Sequence, residues 1–358
     1  MIELHAADAG RRSQRVTHST PSVGSPAGRR RPIVGRLPGS GTARFAVFKV
    51  GRAVLVVMAA TMLTQWLLDR APGGVAATIL GDGASPENVA ALNTELGLDR
   101  PFLVRYFDWA GDVVTGDFGR SPVNNRSVWD AISTALPVTI EIVLLATVIA
   151  LSVALASTFL SVRRPGGAVD RLFGTASSAA LAVPTFVLAP VLLYLFAVEG
   201  DVFPVTGWVP LREGLAANLE TAVLPAVAVA IPEFAIFHRL LRGDLVATMD
   251  EDFIAAARAR GISESRILIR HAFRPASISL MTVLGISTGR LLGGTVIVES
   301  LFALPGLGLL LQQSILQRDL IMVQGIVVFL AATYVLVNLV VDLLYGVVDP
   351  RIGARVGR

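Results

Sequence analysis

The chain has no cysteine among its 358 residues. Disulfides, thiolate-bound zinc, iron–sulfur clusters and thiol nucleophiles are therefore excluded. Lysine is almost missing too: Lys49, in Phe48-Lys49-Val50, is the one lysine beside thirty arginines. A P-loop needs Gly-Lys followed by Ser or Thr, so any ATP that drives this chain is hydrolysed by another polypeptide. Histidine is scarce, and His5, His18, His238 and His271 never take the His-Glu-x-x-His spacing, so no metal site is expected. Charge is also thin, at 16% of residues against about 25% in ordinary globular chains, while hydrophobic residues reach 53%.

The charges cluster, and the gaps between clusters are membrane-sized. A helix needs about 20 mostly apolar residues to cross a bilayer core. Six stretches reach that length: 50–68, 136–162, 172–198, 222–241, 276–298 and 321–348. The fourth carries Glu233, Pro225 and Pro232, which a span tolerates when neighbouring groups satisfy the freed carbonyls. A soluble core helix explains any one stretch but not six. The expected fold is an all-α integral membrane protein with six transmembrane helices.

Arginine placement tests that count independently. With six spans, segments 1–49, 163–171, 239–275 and the tail after Gly346 share one side, and with Arg52 they hold 23 of the 31 basic residues. The other side holds Arg70, Arg100, Arg105, Arg120, Arg126, Arg212 and Arg318, and Arg290 lies inside the fifth span. The positive-inside rule then puts both termini in the cytoplasm of a multi-pass plasma membrane protein.

The domain reading follows from this topology. Residues 1–44 form an Arg-, Ser-, Pro- and Gly-rich tail expected to be disordered and attracted to anionic lipid. Twin-arginine and nucleic-acid-binding readings of its arginines lack a closely following apolar region and interleaved aromatics, whereas an Arg-rich, acid-poor transit peptide fits better and stands as the alternative to the lipid-attracted tail. Residues 45–352 are the membrane domain, with an outer segment at 69–135 and an inner loop at 241–275, and 353–358 are a short cytoplasmic tail.

Three connecting segments carry more pattern than a loop needs. In the outer segment, Val89, Leu92 and Leu96 share a helical face, and Phe102 to Trp109 reads as an amphipathic helix with aromatics suited to an interface. In the inner loop, Asp252 to Arg260 favours helix with Phe253, Ala256 and Ala257 on one face, and Gly261 ends it. Ser263 is placed to cap a second short helix, Glu264 to Phe273, with Ile267, Leu268 and Phe273 apolar and Arg266 and Arg270 exposed. This hairpin suits insertion into a partner, a solvated helical loop being the alternative. The outer return Leu301 to Leu311 is too apolar for solvent and is expected to pack on the mouth of the bundle.

At the inner hairpin the sequence becomes familiar. Ala255-Ala256-Ala257-x-x-x-Gly261 resembles the Glu-Ala-Ala-x-x-x-Gly loop of bacterial ATP-binding-cassette importer permeases, and its flanks from Asp252 to Arg274 resemble the dipeptide, oligopeptide and nickel branch. Gly97 to Pro101, Gly116 to Ser121, Leu136 to Glu141, Glu299 to Gly308 and Asp342 to Arg351 resemble further segments of that branch in the same order. The likeness covers residues 45–352, nearly the whole chain outside the tail. It departs at Ala255, where the loop's glutamate stands elsewhere, at Pro275, one place late, and at Pro72-Gly73-Gly74-Val75.

What the resemblance implies is a permease subunit without catalytic residues, cofactor or metal. It forms half of a pathway for di- or oligopeptides, or a related small substrate such as a nickel complex. Its implied partners are a second homologous permease, two ATPase subunits carrying ATP and magnesium, and an extracytoplasmic binding protein. Asp252, Ala255, Ala256, Ala257, Gly261, Arg266 and His271 become the expected coupling contacts with the ATPase. The competing classes are a secondary transporter, which needs ion-coupling residues and commonly inverted repeats, and an intramembrane hydrolase, for which His238 offers no evident partner.

Ionisable groups at bilayer depth are functional candidates because each costs roughly 2.5–3.5 kcal/mol to insert. Glu141, Glu233, Arg290 and Asp342 qualify. Arg290 is expected to pair with one of the three acids or to line the substrate path. Gly285, Gly289 and Gly293 repeat every four residues and suit close helix packing, with pore lining as the other reading.

Overall fold

The computed structural model describes residues 41–70, 76–77, 80–81, 84–95 and 97–348, without the side chains of 41–47, 49, 68 and 342–348. The Arg-rich tail up to residue 40, Pro72 to Val75, Leu96, the side chain of Asp342 and the residues from Asp349 onward lie outside the described residues.

The described residues form helices and no strand. In chain order these are α1 (Gly41–Asp69), α2 (Pro86–Glu95), α3 (Phe102–Val114), α4 (Val128–Val162), α5 (Ala168–Ala182) and α6 (Thr185–Glu199). They continue with α7 (Leu215–Met249), α8 (Asp252–Ala259), α9 (Glu264–Gly294), α10 (Val296–Leu301), α11 (Leu307–Leu316) and α12 (Leu320–Val348). Among the described residues α1, α4, α7, α9 and α12 are long and apolar enough to cross a membrane, and α5 with α6 adds a sixth span if the bent pair counts as one.

That bend corrects the expected third span, 172–198. The chain turns by 104° between α5 and α6. Val183 is extended (φ −97°, ψ 117°) ahead of Pro184, the conformation that a following proline imposes. Pro225 and Pro232, in contrast, leave α7 unbroken. The difference is packing: α7 buries Leu224, Ala226, Ala228, Val229 and Ala230 around its prolines, whereas Phe186, Val187 and Val191 on α6 remain exposed.

The centre of the bundle is the seam between α4 and α7. Ala146, Ala150, Ala154 and Thr158 recur every four residues along α4 and are buried, so the two backbones approach closely. α4 begins eight residues ahead of the expected span, where the Ser127 side chain accepts the Asp130 N–H and caps the first turn.

The outer segment fastens to this bundle at two places. On α3, Tyr106 is buried and its hydroxyl meets Thr61 Oγ1 at 2.8 Å and donates to the Met58 carbonyl at 3.1 Å on α1, while Arg105 pairs with Asp69. Further on, Phe118 stacks on Trp129 of α4 at 5.6 Å. Ser121 donates to Asp319 Oδ2, and Asp319 Oδ1 accepts the Met322 N–H at 3.0 Å at the start of α12.

Candidate functional site

The inner hairpin joins α7 to α9 through α8. Its first helix ends in a Schellman turn: Gly261 N–H donates to Arg258 O at 2.9 Å and Ile262 N–H to Ala257 O at 3.3 Å. Gly261 has φ +76°, a left-handed conformation that favours glycine, as its place in the sequence predicts. Of the three residues expected to share one face, the buried face keeps only Ala257 and adds Ile254. Ile254 and Ala257 turn inward, onto Ile267, Leu268 and Ala272 in the same apolar cluster. Phe253, Ala255 and Ala256 are exposed.

The second helix is not a separate short one. From Glu264 it runs through a π-helical stretch, Ile267–Ala272, directly into the membrane span, so α9 starts twelve residues before the expected fifth span. Ser263 takes the N-cap position with extended backbone, but its side chain makes no capping bond. Arg266 and Arg270 are exposed, and His271 is half-buried. Arg258 Nε donates to Glu264 Oε1 at 2.8 Å across the hairpin, and this hydrogen bond raises the guanidinium above its usual pKa. Between the hairpin and the inner ends of α4 and α7 lies a cavity of about 590 Å³ lined by Val162, Arg163, Met249, Asp250, Arg258 and Leu268, among others.

Of the acids offered to Arg290, Glu233 takes it: Arg290 Nη2 donates to Glu233 Oε1 at 2.6 Å. Glu141 instead accepts from Asn218 Nδ2 at 2.6 Å, and Asn218 also donates to the Val209 carbonyl at 2.9 Å. The glycine face of α9 is divided. A Cβ at Gly285 would lie 2.2 Å from Val341 Cγ2, and one at Gly289 would lie 3.3 Å from Val337 Cγ1, so both glycines admit α12. Gly293 meets nothing within 4 Å and does not share that packing.

The outer return packs on the bundle as expected, with Phe302, Leu304 and Leu307 buried. At its centre Glu299 is fully buried. Its Oε1 accepts from Thr295 Oγ1 at 2.8 Å and its Oε2 accepts the Gly308 N–H at 2.6 Å, while Thr139 Oγ1 on α4 accepts the Leu307 N–H at 2.8 Å. Gly308 lies so close that a Cβ would stand 2.4 Å from the Val296 Cα.

Comparison with known proteins decides what this arrangement is. Residues 146–354 match the family described as binding-protein-dependent transport system inner membrane component, and residues 42–143 match its N-terminal companion. The chain belongs to this family. A Brucella abortus (strain 2308) protein named as a peptide transport system permease is 38% identical over 304 residues, covering 85% of this chain and 97% of that protein. The dipeptide transport system permease protein DppB of Escherichia coli (strain K12) is 32% identical, covering 86% and 98%. The oligopeptide transport system permease protein AppB of Bacillus subtilis (strain 168) is 30% identical, covering 87% and 99%. A crystallised amino acid ABC transporter with histidines aligns loosely, at TM-score 0.44 and 19% identity over 62% of this chain and 94% of that one.

Within the permease, three groups escaped the sequence reading. His238, expected to lack a partner, is fully buried with Nδ1 2.9 Å from Ser157 Oγ and 3.1 Å from Thr158 Oγ1. Arg242 forks onto Asp170, with Nη2 donating to Oδ2 at 2.6 Å, and joins the inner ends of α5 and α7. The Glu299–Thr139 brace was visible only as part of an apolar motif. The first two link positions 81 and 72 residues apart, which no local spacing encodes.

Proposed function

We propose that this permease forms half of the translocation path of an ATP-driven importer of di- or oligopeptides. A second homologous permease supplies the other half, and an extracytoplasmic binding protein delivers the substrate. Two cytoplasmic ATPase subunits bind ATP and magnesium, and the permease holds neither and catalyses no covalent step. The arginine-rich side, with both termini and the α8 hairpin, faces the cytoplasm. The peptide class rests on the names of the relatives at 30–38% identity.

The observation that carries the coupling role is the split of α8. Ile254 and Ala257 root it in the bundle, while Phe253, Ala255 and Ala256 stand outward beside Asp252, Arg266 and Arg270. An exposed apolar strip ringed by charge, fixed to a membrane span, is a surface for a soluble partner. The test is uptake of labelled trialanine by proteoliposomes holding the whole complex. Uptake that requires ATP, and that Ala256→Glu abolishes together with co-purification of the ATPase, is the expected result. Uptake driven by an ion gradient without ATP makes the chain a secondary transporter and overturns the reading.

A further inference from the structure

Arg290 is the feature that the packing of the bundle leaves unexplained. Its side chain is 54% exposed, although Glu233, its partner, is only 3% exposed. Two contacts fix its depth. Glu233 lies near the middle of α7, and the adjacent Gly289 packs on Tyr334 and Val337, near the middle of α12. A guanidinium at that depth does not face hydrocarbon, because exposure to lipid there costs several kcal/mol. The open face of α9 therefore looks onto something polar.

The surroundings say what fits there. Gly293 and Gly294, one turn further out, leave open space where a Cβ would stand. Ile286 flanks the guanidinium on the inner side and is exposed. Glu233 occupies one nitrogen, and the remaining N–H groups of Arg290 donate to no described residue. A guanidinium with free parallel N–H groups binds a carboxylate through two hydrogen bonds. Further round the helix Gly285 and Gly289 lock α9 to α12, so the backbone that carries the fork is held in place.

We propose that Arg290 is a carboxylate-binding point on the translocation path, where it receives the C-terminal carboxylate of the transported peptide. This rests on the peptide-import reading above. Glu233 has a second task in this arrangement. By offsetting the charge of Arg290 it keeps the hold on the passing carboxylate brief, since a site in a path must release what it binds. A carboxylate on the second permease subunit is the other source of the same chemistry, and the experiment separates the two.

Proteoliposomes carrying the complete complex are given trialanine or trialanine amide, and kcat/KM for each is compared between wild type and Arg290→Gln. The binding protein is the same throughout, so its own preference cancels from the comparison. The acid-to-amide ratio is expected to fall about tenfold, the effect of one charge-assisted contact. Arg290→Lys, which keeps the cation, falls between the two and is read in its place if Arg290→Gln does not assemble. Glu233→Gln lowers both KM and kcat for trialanine. An unchanged ratio in an assembled complex overturns the proposal. Loss of the second permease subunit from both Arg290 variants also overturns it and assigns the guanidinium to that subunit. Failure of the wild-type complex to take up either peptide removes the import reading itself, an outcome distinct from these.

Discussion

Before its inner end, α9 is preceded by a connection that turns its charges outward, whereas the connection beyond its outer end folds a carboxylate into the bundle. At the inner hairpin Arg258 and Glu264 pair on the surface, and Phe253 and Ala256 are left uncovered. At the outer return both oxygens of Glu299 accept hydrogen bonds from buried donors, and three apolar side chains close over it. A buried carboxylate is costly unless its lone pairs are met, and both oxygens of Glu299 find donors within this chain. The outer connection thus closes its polar groups within this chain, and the inner one leaves an apolar strip uncovered.

This contrast predicts unequal sensitivity to mutation. Glu299→Ala strands the Gly308 N–H and the Thr295 hydroxyl in the interior, each at about 1–3 kcal/mol, and adds a cavity. It should give the largest drop in the melting temperature of the detergent-solubilised protein, with Glu299→Gln losing less. A wild-type melt for Glu299→Ala would show that the turn stands without its brace.

Arg290→Ala comes next. It leaves Glu233 buried without its counter-charge, and removing one partner of a buried pair costs about 3–5 kcal/mol. The half-exposed guanidinium puts the effect at the lower end of that range. Adding Glu233→Ala should restore much of the melting temperature, while adding Glu141→Ala should not, because Glu141 already serves Asn218.

The glycine face of α9 gives a smaller, graded effect. Gly285→Val forces a methyl onto Val341 and is expected to cost about 1–3 kcal/mol, measured by thermal unfolding. Gly293→Ala enters open space and should change stability by less than about 0.5 kcal/mol. Equal losses at the two sites would contradict the packing of α9 on α12.

Apart from Gly261, the inner hairpin should be a mild site for stability and the harshest for assembly. Gly261→Ala meets a left-handed backbone at a cost of about 1–2 kcal/mol. Arg258→Ala should leave the melting temperature where it is. Ala256→Glu should melt like the wild type while losing the ATPase on co-purification, and a matching loss of stability would mean that Ala256 is part of the core after all.

The same contrast accounts for what could be read from the sequence. Apolar length and arginine distribution located α1, α4, α7, α9 and α12, because membrane crossing depends on composition over some twenty residues. Gly261 was legible because a helix end needs one left-handed residue. Pro184 and Pro225 look alike in the sequence, and only the packing around them decides that one breaks the chain and the other does not. The acid that pairs with Arg290 likewise depends on how α7 and α9 are rotated against each other. Within α8, the choice between Ala256 and Ala257 as the buried residue turns on one step of a helix, which a run of three alanines cannot specify.

One consequence of the uninterrupted α9 concerns distance. Glu264, at the hairpin, and Arg290, at mid-depth, belong to one helix, about 39 Å apart at 1.5 Å per residue. No proline stands between Pro275 and Arg290, and the π-helical stretch is confined to Ile267–Ala272. Tilted as one body, a helix of that length is a lever arm. A tilt of about 5° about its inner end carries the guanidinium sideways by about 3 Å, roughly the length of a hydrogen bond. A displacement of that size is enough to make or break a contact in the middle of the membrane.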